Sequence, residues 1–333
     1  MPRERGSKLK ATSHQLQVSI TCPVPAGTTF GNRVTAVRYG RILSGLGHRV
    51  RIVSTDDAPP ATTDVLLALH AKHSARIIAD SKKKHPDRPV ILVLTGTDLY
   101  RDIRSSKAAV QSLALADKLV VLQQLGMSEL RNTLRNKSLV IYQSEIRKPR
   151  EQPPVLRNFR VIVIGHLRKE KDPFRTARAA RKLPPESKIA IEHYGHEREP
   201  GFAQRARQEM ARNVRYRWLG NKPRWLVRRR LANAHLMVLS SRMEGGAGVM
   251  TEALAADVPI LSTGIPGSVG MLGKTYDGYF NVGDTLALRN LLFRAESDRG
   301  FLRNLVTQCR RRAKLIDPSR EKAAWARAIR SVI

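Results

Sequence analysis

Residues His235–Pro259, HLMVLSSRMEGGAGVMTEALAADVP, decide how the rest of the chain is read. The apolar run His235–Ser240 predicts a buried strand, a polar glycine-rich turn follows, and an amphipathic helix is predicted from about Ala247 to Asp257. Backbone N–H groups at a helix start are unpaired and carry the positive end of the dipole, so such a turn suits an anion. Glu244 and Glu252 flank the turn with seven residues between them. A carboxylate beside a phosphate is repulsive unless it is there to grip hydroxyl groups. The stretch therefore points to a phosphorylated sugar.

Working outward, short β-rich runs alternate with helical segments. QVSIT leads to a helix over Asn32–Leu46, then RVRIVS and VLLALH, a helix over Lys72–Lys84, VILVLT, a helix over about Ser106–Ala116, KLVVLQ, another helix and LVIYQS. EIRKPREQPPVLRNF (145–159) breaks the pattern with three prolines and mixed charge, which places an interdomain linker at 148–159. A second cycle runs through RVIVIG, KIAIEHYG, VRYRWLG, HLMVLSS and VPILST, then a short FNVG element and helices near 284–297 and 299–315. Continuous apolar strands imply parallel sheets covered on both faces, which bind ligands at the carboxyl ends of their strands. The expected fold class is α/β: two facing Rossmann-like domains, 15–147 and 160–316, with a cleft between them. The last helix, in 317–333, is expected to pack back toward the N-terminal domain.

Composition narrows the classes. At 333 residues the chain exceeds what one hydrophobic core usually serves. No run approaches the roughly 18 apolar residues of a membrane helix. Residues 1–14, MPRERGSKLKATSH, lack the apolar core of a secretory signal, so a loose basic tail and a cytoplasmic location are expected. Cys22 and Cys309 suggest neither a disulfide framework nor a cysteine metal site. Sixty Lys and Arg against 28 Asp and Glu give a net charge of +32, which raises nucleic-acid binding as a competing class. Against it, the basic residues are spread over predicted helix surfaces, and aromatics to stack bases make up only 5%. A solvated basic surface with weak attraction for polyanions is the plainer reading.

Two Rossmann-like domains with E-x7-E in the second resemble the GT-B glycosyltransferases that use nucleotide-sugar donors. More narrowly, FGNRVTAVRYGRILSGLGHRV, LLALHAKHSA, LTGTDLYRD, SLALADKLVVLQ, GHLRKEKDP and LSSRMEGGAGVMTEAL resemble, in order and spacing, the selenosugar synthases of selenoneine biosynthesis. That resemblance implies transfer of a sugar from UDP-N-acetylglucosamine, or UDP-glucose, to selenophosphate with formation of a carbon–selenium bond. It implies that Lys171 and Arg168 clamp the diphosphate, His166 standing where related enzymes carry Arg. Glu252 would hold the ribose hydroxyls and Glu244 would face the donor sugar. Gly245 and Gly246 would let the backbone approach sugar and phosphates, and Leu219 would offer backbone contacts to uracil. His193 and His196 read as structural or cleft-edge residues.

The first domain is expected to hold the acceptor. Gly31 and Asn32, a plausible N-cap, open a helix whose start suits a phosphate, and Arg33 adds a charged donor. Thr95, Gly96, Thr97 and Arg101 lie on another strand-end turn of the same edge, although a turn with a helix cap would explain Thr95–Asp98 equally. Catalytic candidates are Glu244, Lys171 and Arg168 on the donor side, with Asp98 and His70 to orient the acceptor or assist phosphate loss. Selenophosphate is anionic near neutral pH and needs little help from a general base. No metal is expected, because arginine, lysine and helix dipole meet the diphosphate charge. A sugar or lipid-linked hydroxyl acceptor stays open, as does a polyanion- or RNA-binding protein on a degenerate transferase scaffold.

Overall fold

A computed structural model describes residues 15–28, 31–150, 154 and 157–333. The predicted tail and part of the predicted linker lie outside the described residues. Six strands build the first sheet: β1 (Gln17–Cys22), β2 (Arg49–Ser54), β3 (Val65–Leu69), β4 (Val90–Leu94), β5 (Lys118–Val121) and β6 (Ser138–Val140). Six more build the second: β7 (Phe159–Ile164), β8 (Ile189–Tyr194), β9 (Tyr216–Trp218), β10 (Leu236–Leu239), β11 (Ile260–Thr263) and β12 (Tyr279–Phe280). The orders are β2-β1-β3-β4-β5-β6 and β12-β11-β10-β7-β8-β9, and neighbours pair in parallel. Strand order therefore reverses between β1 and β3 in one sheet and between β7 and β10 in the other, and at such switch points α/β sheets bind ligands. The expected α/β fold class, with two doubly wound parallel sheets, is the fold observed.

Alternation of side chains explains why the central strands read as unbroken apolar runs. Leu67, Leu69, Ile91, Val93, Val120 and Leu122 pack on one face, while Leu66, Ala68, Leu92, Leu94, Leu119 and Val121 pack on the other. The second sheet and its helices share one large core, from Val161 to Ile316.

Local chemistry sets several boundaries. Ser106 caps the helix Lys107–Leu115 by accepting from Ala109 N–H at 3.3 Å, and Asp284 and Asp298 do the same for the helices Thr285–Ser297 and Arg299–Arg312. The helix after β1 spans Gly31–Ser44, so Asn32 sits inside its first turn and is not its N-cap as expected. The helix expected between β5 and β6 is only a 3-10 turn, Gln124–Glu129, and one helical turn, Asn132–Arg135.

The chain passes from the first sheet to the second once and then returns. The helix Pro318–Arg330 buries Trp325, Ala328 and Ile329 in the N-terminal core, with the Trp325 ring 4.5 Å from that of Tyr39. Where outgoing and returning segments meet, Glu145 N–H donates to Ile316 O at 2.9 Å. Glu321, fully buried at its side chain, accepts from Ser144 N–H at 2.7 Å and pairs with Arg38 at 3.3 Å.

Candidate active site

At the switch point of the second sheet, the segments leaving β7 and β10 are knitted into one surface. Arg242 N–H donates to Glu170 O at 2.8 Å, and Ser240 Oγ donates to the carbonyls of Lys171 (3.2 Å) and Asp172 (3.0 Å). Asp172 turns the chain with φ +42°, and Arg175 Nε holds its carboxylate at 2.9 Å. This packing brings Lys171 and Glu244 together: Lys171 Nζ forms an ion pair with Glu244 Oε1, which also accepts from Ser241 Oγ at 2.6 Å. Arg168 lies 3.9 Å from Glu170 Oε2, and its Nε is buried without a hydrogen-bond partner. Buried donors are nearly always satisfied in folded proteins, so this nitrogen marks a place suited to an anion.

Two histidines beside this turn, His166 and His193, are held well below the usual histidine value. Burial, followed by the cations Lys171, Arg168 and Arg198, lowers His166 to about 4, and its Nδ1 accepts from His196 N–H at 3.1 Å. Positive charge at this turn thus comes from its arginine and lysine side chains, Arg168 and Lys171 among them. His193 is buried and pushed down to about 4 by burial. Gly165 O can only accept, so His193 Nε2–H donates to it at 2.9 Å, and Nδ1 accepts from Tyr216 O–H at 2.8 Å. His193 therefore fixes the backbone that leads into the Arg168–Lys171 turn.

Across the cleft, the first domain meets the glycine turn directly. A Cβ on Gly245 would lie 2.5 Å from Thr95 O, and one on Gly246 would lie 2.7 Å from Leu122 Cβ. These glycines were expected to admit sugar and phosphates; what approaches them here is the other domain, with the backbone of Thr95 at Gly245 and the side chain of Leu122 at Gly246. Arg101, expected among the acceptor groups, donates to Asp102 Oδ1 (3.0 Å) and reaches over to Glu170 Oε1 at 3.2 Å. It is thus tied to the turn that carries Arg168 and Lys171.

The remaining first-domain candidates divide into two places. Asp98 is fully buried and accepts from Ala71 N–H (3.0 Å), Thr95 N–H (3.0 Å) and Gly96 N–H (2.8 Å). Its carboxylate staples the loops after β3 and β4. His70 sits at the end of β3 with φ +74°, a conformation that favours glycine. Its Nδ1 accepts from His73 N–H at 3.3 Å and its Nε2 lies 3.0 Å from Thr97 Oγ1. Burial lowers its pKa against the opposing pull of Asp98. Arg33 instead lines a cavity of about 700 Å³ beside the end of β2, with Arg51, Ser54 and Asp57. Gly31, at the helix start, faces open space.

Two donor-side candidates are engaged in ways the sequence does not signal. Glu252 Oε1 accepts from Arg224 Nε (2.9 Å) and Nη2 (2.6 Å), with Arg228 Nε at 3.5 Å. Leu219 spends its N–H on His193 O at 2.9 Å, so a base would meet its carbonyl. Sequence reasoning missed Glu170, Ser241, Arg224 and Arg228. Glu170 and Ser241 lie within the quoted loops and carry a signal by proximity. The two arginines look like any others in so basic a chain. Among the described residues, no group of three or more His, Cys, Asp or Glu side chains is placed to hold a metal ion, and no helix is long and apolar enough to cross a membrane.

Residues 145–314 match the family Glycosyl transferases group 1. Anabaena HepE in complex with UDP-glucose is similar over 95% of this chain and 100% of its own, with a TM-score of 0.77 and 15% identity. Sucrose-phosphate synthase from Thermosynechococcus elongatus is similar over 96% and 99%, with a TM-score of 0.77 and 14% identity. OtsA in its apo form gives 96% and 99%, a TM-score of 0.73 and 12% identity. At these identities the likeness shows the fold, which is GT-B.

Proposed function

The chain belongs to the glycosyl transferases group 1, and from that premise we propose that it transfers a sugar, N-acetylglucosamine by expectation, from a UDP-sugar to selenophosphate. The observation that supports the donor half is the convergence of Lys171, Arg168 and Glu244 at the β7/β10 switch point, with Arg168 Nε buried and without a hydrogen-bond partner. In this reading Arg168 and Lys171 take the diphosphate, Glu252 the ribose hydroxyls and Glu244 the donor sugar. HepE bound to UDP-glucose is a solved relative in fold that holds such a ligand.

The reaction balances without an added oxidant or metal. Selenium attacks the anomeric carbon, the bond from that carbon to the diphosphate oxygen breaks, and its electron pair leaves with UDP beside Lys171 and Arg168. Water then cleaves the phosphorus–selenium bond to release phosphate and the selenosugar. A hydroxyl acceptor would instead need a positioned base. Asp98 is filled by backbone amides and both ring nitrogens of His70 are engaged, which favours an acceptor that is already anionic.

Incubation with UDP-N-acetylglucosamine and selenophosphate under reducing conditions, read by mass spectrometry, tests the proposal. UDP and a selenosugar should appear together. Turnover with sugar or lipid-linked hydroxyls and none with selenophosphate would replace the acceptor. Tight, salt-sensitive RNA binding without affinity for UDP would replace the enzyme class.

A further inference from the structure

We infer that Arg224 and Arg228 are positioning residues that tie Glu252 to the domain crossover at Glu145, so that affinity for UDP depends on a carboxylate outside the nucleotide site. The inference rests on the reading of Glu252 as the ribose-binding group.

Both contacts of Arg224, and that of Arg228, fall on Oε1 of Glu252. Three donors converge on that one oxygen, which leaves Oε2 as the acceptor for ligand hydroxyls. The same two arginines serve a second carboxylate. Arg228 Nη2 forms an ion pair with Glu145 Oε2, and Arg224 Nη2 lies 3.7 Å from that oxygen. Arg38, on the first helix of the N-terminal domain, lies 3.9 Å from it as well.

Glu145 and Glu252 are 11% and 10% exposed at their side chains, so neither carboxylate can lose its cations cheaply. The shared pair of arginines therefore balances two sites at once. Glu145 is also where the chain leaves the first sheet, bonded through its N–H to Ile316 O on the returning segment. Removing the Glu145 charge would let both guanidinium groups settle on Glu252 and compete with ribose hydroxyls for its oxygens.

Titration calorimetry with UDP, beside thermal melting, tests this. Glu145→Gln should weaken UDP binding about 5- to 10-fold while the melting temperature stays within a few degrees. In a Glu252→Gln background the same change should have no further effect, because neighbours that share partners are not additive. Arg228→Gln should weaken binding similarly, and Arg228→Lys, which keeps the charge and loses the two-nitrogen bridge between Glu252 and Glu145, about 3-fold. Wild-type UDP affinity in the Glu145 and Arg228 variants, or additive losses in the double variant, would overturn the inference. Unchanged affinity in Glu252→Gln alone would instead overturn the ribose assignment beneath it.

Discussion

Gly245 and Gly96 meet backbone to backbone across the interdomain cleft: a methyl group on Gly245 would lie 2.5 Å from Thr95 O and 2.8 Å from Gly96 N. Gly96 itself has φ +149°, so the contact needs glycine on both sides. The donor turn and the loop after β4 are therefore in register only while both residues lack a side chain.

Gly245→Ala should push the two domains apart. Because displacement of about 1 Å at a reacting centre costs on the order of 100-fold, the variant should lose between about 10- and 100-fold in kcat with its fold retained. Steady-state kinetics beside circular dichroism would check this, and wild-type kcat would show that the contact does not persist in the working enzyme.

Lys171→Met should remove a diphosphate cation and leave Glu244 without its ion partner. Charged hydrogen bonds contribute about 1.5–3 kcal/mol, so UDP affinity should fall roughly 10- to 100-fold. Glu244→Gln keeps Lys171 and loses the repulsion toward phosphate, so it should bind UDP at least as well as wild type while turning over more slowly. Calorimetry with UDP separates the two outcomes.

Asp98→Ala should act on stability. The backbone amides of Ala71, Thr95 and Gly96 would lose their shared acceptor, a cost of about 3 kcal/mol for buried donors to a charged group. Urea unfolding should show that loss. A variant of full stability and no activity would support Asp98 as a catalytic group instead.

Acid should destabilise the protein through its neutral histidines. His193 and His166 are lowered to about 4 in the folded state, below the usual value near 6.5, so the unfolded chain binds their protons first as pH falls. Stability should be full above about pH 6.5 and decline toward pH 4, by about 3 kcal/mol for buried His193 alone. His193→Gln keeps a donor for Gly165 O and does not titrate there, so its unfolding free energy should vary less over that window.

The legible parts of the fold were those governed by periodicity and turn chemistry. Apolar runs at β3, β4 and β7 appear because both faces of each sheet are covered, so a central strand buries side chains on both sides. Lys171 and Glu244 were legible separately for a related reason: each follows a strand, and parallel strands place their following loops on one edge, while their ion pair is seen only in the structure. Asn32 was misread because Asn is a frequent N-cap, whereas the helix starts at Gly31.

By itself the sequence determined two parallel α/β sheets, the strand-end loops that carry the chemistry and the acidic and basic groups within them, because these follow from side-chain alternation and chain order. Only the tertiary structure decided what each charged group meets. Asp98 looks like a free carboxylate until the loops after β3 and β4 close over it. Arg101 reads as an acceptor contact until Glu170 of the other domain lies 3.2 Å away. Arg224 and Arg228 become distinct among 60 basic residues only when they share Glu252 and Glu145. Coulomb attraction and desolvation depend on separation and burial, and no spacing along a chain specifies either across two domains.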